Sequence, residues 1–364
     1  MPHTRDIHNR HVQNPLHDNK ILYSATQESS TIMTSKASPI ILADKLVDAV
    51  PSGVGRDELR TSVLPALIEA IWNVSQGLRT SHSVSLAGTA NAFGDDQLNV
   101  DVAAENIIRK ALSGCPAIAT VSSEEDPVER PNEADGAATS AEQYTVAFDP
   151  LDGSSIIAPN WCVGTIVGVW DGASTVGQDP RSKQVAAILG VYGPRTTAVV
   201  ALRIPGSESA CFEIALSSDD PQHWDVARSD IALDSPPFKT RYFAPANLRS
   251  AAEYEPYNKI ISTFINEKYT LRYSGGLVPD IIHALVKGHG IYVSPVTKTS
   301  AAKLRRLYEL YPIALILECA GGAAVDPVDG VKILDKALES VDDRAGIVCG
   351  TAIEVEKVMN VFLS

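Results

Sequence analysis

The sequence predicts an α/β chain that folds either as two lobes or as one large unit, and three observations lead there. Its 364 residues exceed the ~100–200 of one ordinary domain. Segments with helical periodicity interleave with short apolar runs of strand length, without the regular alternation of a doubly wound βαβ sheet. A polar, proline-bearing stretch at Asp230–Pro237 marks a boundary. The lobes are then residues 37–229 and 230–364, with residues 1–36 as a tail.

The tail holds four of the eight histidines (His3, His8, His11, His17) among Asn, Ser and Thr, with little apolar periodicity, and is expected to be disordered. Asp6 and Asp18 argue against a mitochondrial presequence, and no hydrophobic signal peptide is seen. Leu59–Gln76 repeats apolar residues at helical spacing (Val63, Leu67, Ile71, Val74), and Asp96–Leu112 does the same (Leu98, Val102, Ile107, Ile108). Ala117–Val121 and Tyr144–Phe148 are strand-like, separated by polar Asp126–Gln143. Val163–Trp170 and Gln184–Val191 follow as strands around a Gly/Ser/Asp loop at Asp171–Lys183. Beyond the boundary come a strand at Arg241–Phe243, helices at Tyr257–Glu267 and Leu277–Lys287, and a strand at Gly290–Val293. A long helix, Ala301–Cys319, is expected to stop at Gly321-Gly322.

Composition removes several functions. Thirty-one Lys and Arg against 44 Asp and Glu give a net charge of −13, which excludes a nucleic-acid binder that must displace counterions with a basic face. No apolar run approaches the ~20 residues of a membrane span. Five scattered cysteines without a C-x-x-C pair read as buried free thiols of a reducing, cytoplasmic compartment, rather than a zinc site or disulfide framework.

Carboxylates concentrate in one third of the chain: Asp95, Asp101, Glu124, Glu125, Asp149 and Asp152. Val146-Ala147-Phe148 leads straight into Asp149 and Asp152, so a strand would present both acids at its carboxyl end. Pro150 stiffens that turn, and Gly153-Ser154-Ser155 offers backbone N–H groups to an anion. Hard oxygen ligands beside an anion cradle suit Mg²⁺ and a phosphoryl substrate. The alternative is a solvated Asp-Gly-Ser turn. Glu124 and Glu125 also follow an apolar run and sit at a strand end. Asp95 and Asp101 lie roughly 120° apart around a helix, and converge only if Asp95 precedes it. Carboxylates gathered this closely need cations to neutralise them.

Asp149-Pro150-Leu151-Asp152-Gly153-Ser154-Ser155 resembles the signature of the fructose-1,6-bisphosphatase/inositol-phosphatase superfamily. Phe93–Asp101, Val163–Trp170, Gln184–Ala187 with Gly193–Thr197, Tyr242–Arg249 and Leu271–Asp280 are similar to segments of its sedoheptulose-bisphosphatase branch. The likeness runs in order from about Val63 to the C-terminus. It implies a layered α/β/α/β/α sugar-phosphatase fold with the site in a cleft between two lobes. It also implies that Glu124, Asp149, the Leu151 carbonyl, Asp152 and Glu309 hold divalent metal, Mg²⁺ with Mn²⁺ able to substitute. Asp95, Asp101 and Glu125 match residues that position and deprotonate the attacking water. Asp152, Gly153 and Ser154 match groups around the leaving phosphate. Asn247, Arg272, Tyr273 and Lys303 match residues that grip the sugar and its distal phosphate. In the relatives the Arg272 equivalent reaches in from a neighbouring subunit, which implies a homodimer or homotetramer.

The function implied is Mg²⁺-dependent hydrolysis of the 1-phosphate of a ketose bisphosphate, sedoheptulose 1,7-bisphosphate before fructose 1,6-bisphosphate. A catalytically silent sugar-phosphate sensor is the reading of another class, and intact acids at the motif positions oppose it. Four departures stand out. Ile156 replaces an asparagine of the fructose enzymes, and Ser294 and Ser250 fall where those enzymes carry tyrosines. Leu86–Asn91 has no cysteine where plastid relatives carry a redox pair.

Overall fold

The computed structural model describes residues 40–90, 94, 96–133, 140–217, 220 and 224–364. The expected tail, 1–36, lies outside these residues. In chain order the elements are α1 (Leu42–Ala49), α2 (Leu64–Thr80, entered through a π-helical turn Leu59–Val63), β1 (Leu86–Ala90), β2 (Asp96–Leu98) and α3 (Asn99–Leu112). Then come β3 (Ile118–Ser123), β4 (Arg130–Pro131), β5 (Tyr144–Asp152), α4 (Ser154–Ile157), β6 (Val163–Asp171), α5 (Pro180–Lys183), β7 (Gln184–Tyr192), β8 (Thr196–Leu202), β9 (Ala210–Ala215) and β10 (Asp225–Arg228). The second half carries β11 (Tyr242–Pro245), a 3₁₀ turn at Leu248–Ala252, α6 (Glu255–Asn266), β12 (Thr270–Leu271), α7 (Leu277–Lys287) and β13 (Ile291–Ser294). It ends with β14 (Leu304–Arg305), a π-helical turn Arg306–Leu310, α8 (Tyr311–Cys319), β15 (Ala323–Val325), β16 (Arg344–Ala345), β17 (Ile347–Gly350) and α9 (Ala352–Phe362).

Eight strands form one sheet in the order β10-β9-β8-β7-β6-β5-β3-β4, and five form another, β12-β11-β13-β17-β15. Helices α2 and α3 cover the outer face of the large sheet. Helices α7 and α8 lie between the sheets, and α6 and α9 close the far side. The molecule is therefore layered α/β/α/β/α, as the resemblance implied. Both faces of the large sheet are covered, so β5, β7 and β8 are buried at every residue. That explains their nearly continuous apolar sequences, since alternation is needed only where one face meets water. Two glycines allow the helices to approach. A Cβ at Gly164 of β6 would sit 2.4 Å from Val278 of α7, and one at Gly190 of β7 would sit 2.7 Å from Ile71 of α2.

Two expected helices are corrected. Asp96–Leu112 divides into β2 and α3, because the Asp101 carboxylate accepts the Leu98 backbone N–H (3.0 Å) and fixes the helix start at Asn99. Ala301–Cys319 is not one helix. Leu304 and Arg305 pair antiparallel with Ala345 and Arg344, and helical backbone begins only at Arg306. The Arg305 N–H is held by the Glu309 carboxylate at 2.5 Å, which caps the turn from within. All five cysteines are free thiols, with Cys115, Cys211 and Cys349 buried. Among the described residues no helix is long and apolar enough to cross a membrane.

Candidate active site

Strand β5 runs through the core and delivers Asp149 and Asp152 at its carboxyl end. Its neighbour β3 is parallel, with Ser123 opposite Phe148, so Glu124 emerges beside Asp149. The Glu124 N–H extends the ladder by one bond to the Phe148 carbonyl (3.0 Å). Glu309 arrives from the second half of the chain on the π-helical turn, a distortion that recurs at functional sites. One carboxylate oxygen from each of Glu124, Asp149 and Glu309 lies within 4.8 Å of the others.

Burial pushes the Asp149 and Glu309 carboxyls well above the usual carboxylate range, and the charge of Glu124 pushes both further. Three hard oxygen donors that repel one another in a water-poor pocket are a donor set that a divalent cation would satisfy. The buried Arg305 side chain, 2% exposed, also pairs with Glu124. Leu151 is buried in the same turn, and its N–H donates to Asp149 Oδ1 at 2.9 Å.

Asp152 stands apart from this trio. Its two oxygens accept the N–H groups of Leu277 (3.1 Å) and Val278 (2.7 Å), which places its carboxylate on the N-terminus of α7. Burial nevertheless raises its carboxyl to about 6. Gly153 follows with φ +104°, and Val163 is packed so tightly there that a Cβ would meet it at 2.9 Å. Only glycine suits both the dihedral and the space. Ser154 opens α4 and is exposed.

Asp101 is buried, and Oδ1 has no hydrogen-bond partner among the described residues. Burial lifts its carboxyl to about 7, helped by the nearby charges of Glu125 and Glu124 and opposed by the Leu98 N–H. Glu125 accepts a hydrogen bond from the Gln97 amide. The structure thus brings Asp101, Glu124 and Glu125 near one another, whereas Asp95 lies outside the described residues.

The four expected sugar-binding residues lie on segments of the second half of the chain outside the π-helical turn. Asn247, at φ +51°, donates to the Pro295 carbonyl (3.1 Å) and accepts from Ser300 (3.0 Å). Arg272 is exposed, donates to the Leu271 carbonyl (2.8 Å) and lies over the Tyr242 ring. Tyr273 is exposed too. Lys303 is exposed and precedes β14, so it does not begin a helix.

Two residues that bear on the site escaped the sequence reading. Arg305 lies inside the expected helix Ala301–Cys319, one of three cations among Lys303, Arg305 and Arg306 with nothing in the spacing to single it out. Asp280 is buried, accepts Ser274 N–H (2.7 Å), Ser274 Oγ (2.8 Å) and Gly275 N–H (3.4 Å), and so ties down the loop carrying Arg272 and Tyr273. Its signal was a lone acid in an apolar helix.

Against known proteins, residues 49–217 match the family model "Fructose-1-6-bisphosphatase, N-terminal domain", and residues 237–362 match the corresponding C-terminal domain. A chloroplastic sedoheptulose-1,7-bisphosphatase of Chlamydomonas reinhardtii is 38% identical over 319 residues, 87% of this chain and 75% of the relative. A class 1 fructose-1,6-bisphosphatase of Syntrophotalea carbinolica is 34% identical over 305 residues, 83% of this chain and 88% of the relative. A crystal structure from Toxoplasma gondii, described provisionally as a sedoheptulose-1,7 bisphosphatase, superposes with TM-score 0.78 at 33% identity. That match covers 90% of this chain and 99% of the other.

Proposed function

This chain belongs to the fructose-1,6-bisphosphatase family of metal-dependent sugar bisphosphatases, and on that premise we propose that it hydrolyses the 1-phosphate of sedoheptulose 1,7-bisphosphate with Mg²⁺. The observation that carries this reading is the convergence of Glu124, Asp149 and Glu309 at the end of β5. These three carboxylates, with the Leu151 carbonyl, would hold the metal, and Asp152 joins them or orients the turn from α7. Bound there, Mg²⁺ supplies Lewis-acid polarisation of the phosphoryl oxygens and acidifies water. The chain's own residues do the remainder. Asp101 Oδ1 accepts the proton of the attacking water, a task suited to a carboxyl lifted toward neutrality. Glu125, Gln97 and Asp95 orient that water, and Gly153 and Ser154 steady the leaving phosphate through backbone N–H groups.

Asn247, Arg272, Tyr273 and Lys303 bind the sugar and its distal phosphate. The exposure of Arg272 supports a homo-oligomer, dimer or tetramer, in which it completes a neighbour's site. The end of the large sheet at Arg228 and the start of the small one at Tyr242 support lobes of 37–229 and 230–364. The missing cysteine pair at Leu86–Asn91 supports a cytoplasmic enzyme without plastid redox control.

Preference for the seven-carbon sugar rests on Ser294 and Ser250. Each replaces a tyrosine hydroxyl donor of the fructose branch, a bond worth ~1.5–3 kcal/mol to a charged acceptor. At half-buried Ser294 the smaller side chain leaves room for one more carbon, whereas Ser250 is wholly buried and contributes only the lost hydroxyl. The test is phosphate release from both bisphosphates, with Mg²⁺ and with EDTA. A higher kcat/KM for the sedoheptulose compound and silence in EDTA are expected. Equal values or a preference for the fructose compound would overturn the substrate, and full activity in EDTA would overturn the metal.

A further inference from the structure

The turn that carries Glu124 and Glu125 is gripped from behind by α3. We propose that Glu105 of this helix is a positioning residue for the hydrolysis, acting on both acids through Ser123. The inference rests on the function proposed above and adds a residue to it. Asp101, Glu105 and Arg109 follow one another at four-residue intervals along α3, so they share one face. Glu105 is 8% exposed, and a carboxylate held out of water needs a partner that repays its desolvation.

Ser123 ends β3, and the chain then reverses within four residues. The Ser123 N–H donates to the Asp126 carbonyl (3.2 Å), and the Asp126 N–H donates to Ser123 Oγ (3.0 Å). Glu124 and Glu125 are the two middle residues of this closed turn, so its geometry sets where both carboxylates leave the backbone. A serine hydroxyl has two lone pairs and one proton. Arg109 (3.4 Å) and the Asp126 N–H occupy the lone pairs, and the proton goes to Glu105 Oε1 (2.8 Å). The wholly buried Ser123 side chain is thereby fixed in one orientation.

Arg109 completes the clamp. Its guanidinium pairs with Glu105, reaches Asp126 Oδ2 (3.5 Å) and stands 6.0 Å from the centre of the Phe148 ring. Phe148 directly precedes Asp149, and its carbonyl accepts the Glu124 N–H (3.0 Å). One helix face thus holds the ends of both strands that deliver the acids. An ion pair serving α3 alone would need no contact with β3 or β5. Glu124, Asp149 and Glu309 crowd within 4.8 Å and repel one another, and the clamp keeps that repulsion from splaying the turn.

The experiment compares wild type with Glu105→Leu, Glu105→Gln, Ser123→Ala and the Glu105→Leu/Ser123→Ala double variant, with thermal melts to confirm folding. Mn²⁺ binding is measured by calorimetry, and phosphate release from both bisphosphates is measured over a Mg²⁺ series. Glu105→Leu and Ser123→Ala should each weaken Mn²⁺ binding about tenfold and lower kcat about tenfold, with KM within about twofold. Glu105→Gln keeps an oxygen for the Ser123 proton and should stay within about threefold of wild type. The double variant should fall no further than the worse single, because both changes break the same bond. Wild-type Mn²⁺ affinity in Ser123→Ala, losses that multiply in the double variant, or Glu105→Gln as impaired as Glu105→Leu would overturn the positioning role. Should Glu105→Leu fail to fold, Ser123→Ala and Glu105→Gln decide the matter by the same criteria. A wild type that binds Mn²⁺ but releases phosphate from neither sugar would overturn the hydrolytic reading, while a tenfold loss of Mn²⁺ affinity in Ser123→Ala would still uphold the clamp.

Discussion

Asp101→Asn should abolish turnover and, in the metal-free protein above neutral pH, make the fold more stable. Burial and the charges of Glu125 and Glu124 raise this carboxyl from its ordinary 3.8 to about 7. The folded chain therefore keeps a proton that the unfolded chain gives up, throughout the interval between those values. Stability from this group is fully present below pH 3.8 and is lost as pH rises to about 7. A rise of about three pH units at 1.36 kcal/mol each bounds the loss near ~4 kcal/mol, and ~2–4 kcal/mol allows for relaxation of the neighbouring acids. Asparagine removes the charge, retains an oxygen for the Leu98 N–H, and presents N–H donors to the facing carboxylates. Urea unfolding of both proteins in EDTA should give equal stability near pH 4 and an advantage of ~2–4 kcal/mol for Asp101→Asn at pH 8. Phosphate release in Mg²⁺ should fall by roughly 10²–10⁴. A variant less stable than wild type at pH 8, or offset equally at both pH values, would refute the argument that an unfavourable charge is stored at this position.

Glu309→Gln should weaken metal binding by more than the ~10–100-fold typical of outer-shell changes, while sparing the fold because the amide is nearly isosteric. Calorimetric Mg²⁺ titration with activity recovery after EDTA measures it. Asp280→Asn loosens the Ser274–Gly275 loop without touching the acids at the end of β5. It should raise KM about tenfold, the equivalent of 1.4 kcal/mol, with kcat within about twofold. An equal loss in both constants would count against a positioning role. Gly164→Ala forces a Cβ to within 2.4 Å of Val278 and 2.7 Å of the Gly190 carbonyl, and should cost ~1–3 kcal/mol of stability by urea unfolding.

Much of the fold could be read from residue order because local physics decided it. The runs at 144–148, 163–170 and 184–191 lengthen in the structure to β5, β6 and β7 without changing type, since only extended chain buries so many β-branched residues on both faces. The helix at 277–287 needed no change either. What escaped was set by partners remote in sequence. The helix expected over 301–319 begins late because Leu304-Arg305 finds a strand partner at Arg344-Ala345 and Glu309 turns back on the Arg305 amide. For the site, adjacency of Glu124 to Asp149 follows from two apolar runs ending in acids. The arrival of Glu309 and the capping of α7 by Asp152 do not, because neither spacing nor periodicity encodes which helix faces which turn. Family likeness supplied Glu309, and neither route supplied Arg305 or Asp280.

The junction between the two halves of the chain fixes when during synthesis an active site can first exist. Arg305 pairs with Glu124 across 181 positions, and Tyr308 shares a hydrogen bond with Ser122 across 186. A ribosome-bound chain that has released β3 and β5 owns Glu124 and Asp149 but must wait for about three quarters of the remaining polypeptide before Glu309 appears. During that interval two acids at the end of β5 have neither their third companion nor the helix amides that receive Asp152. Long-range closure of this kind slows folding. It also means that a fragment ending before Glu309 has no means of assembling the three-carboxylate cluster, so activity arrives in a single step with about the last sixth of the chain.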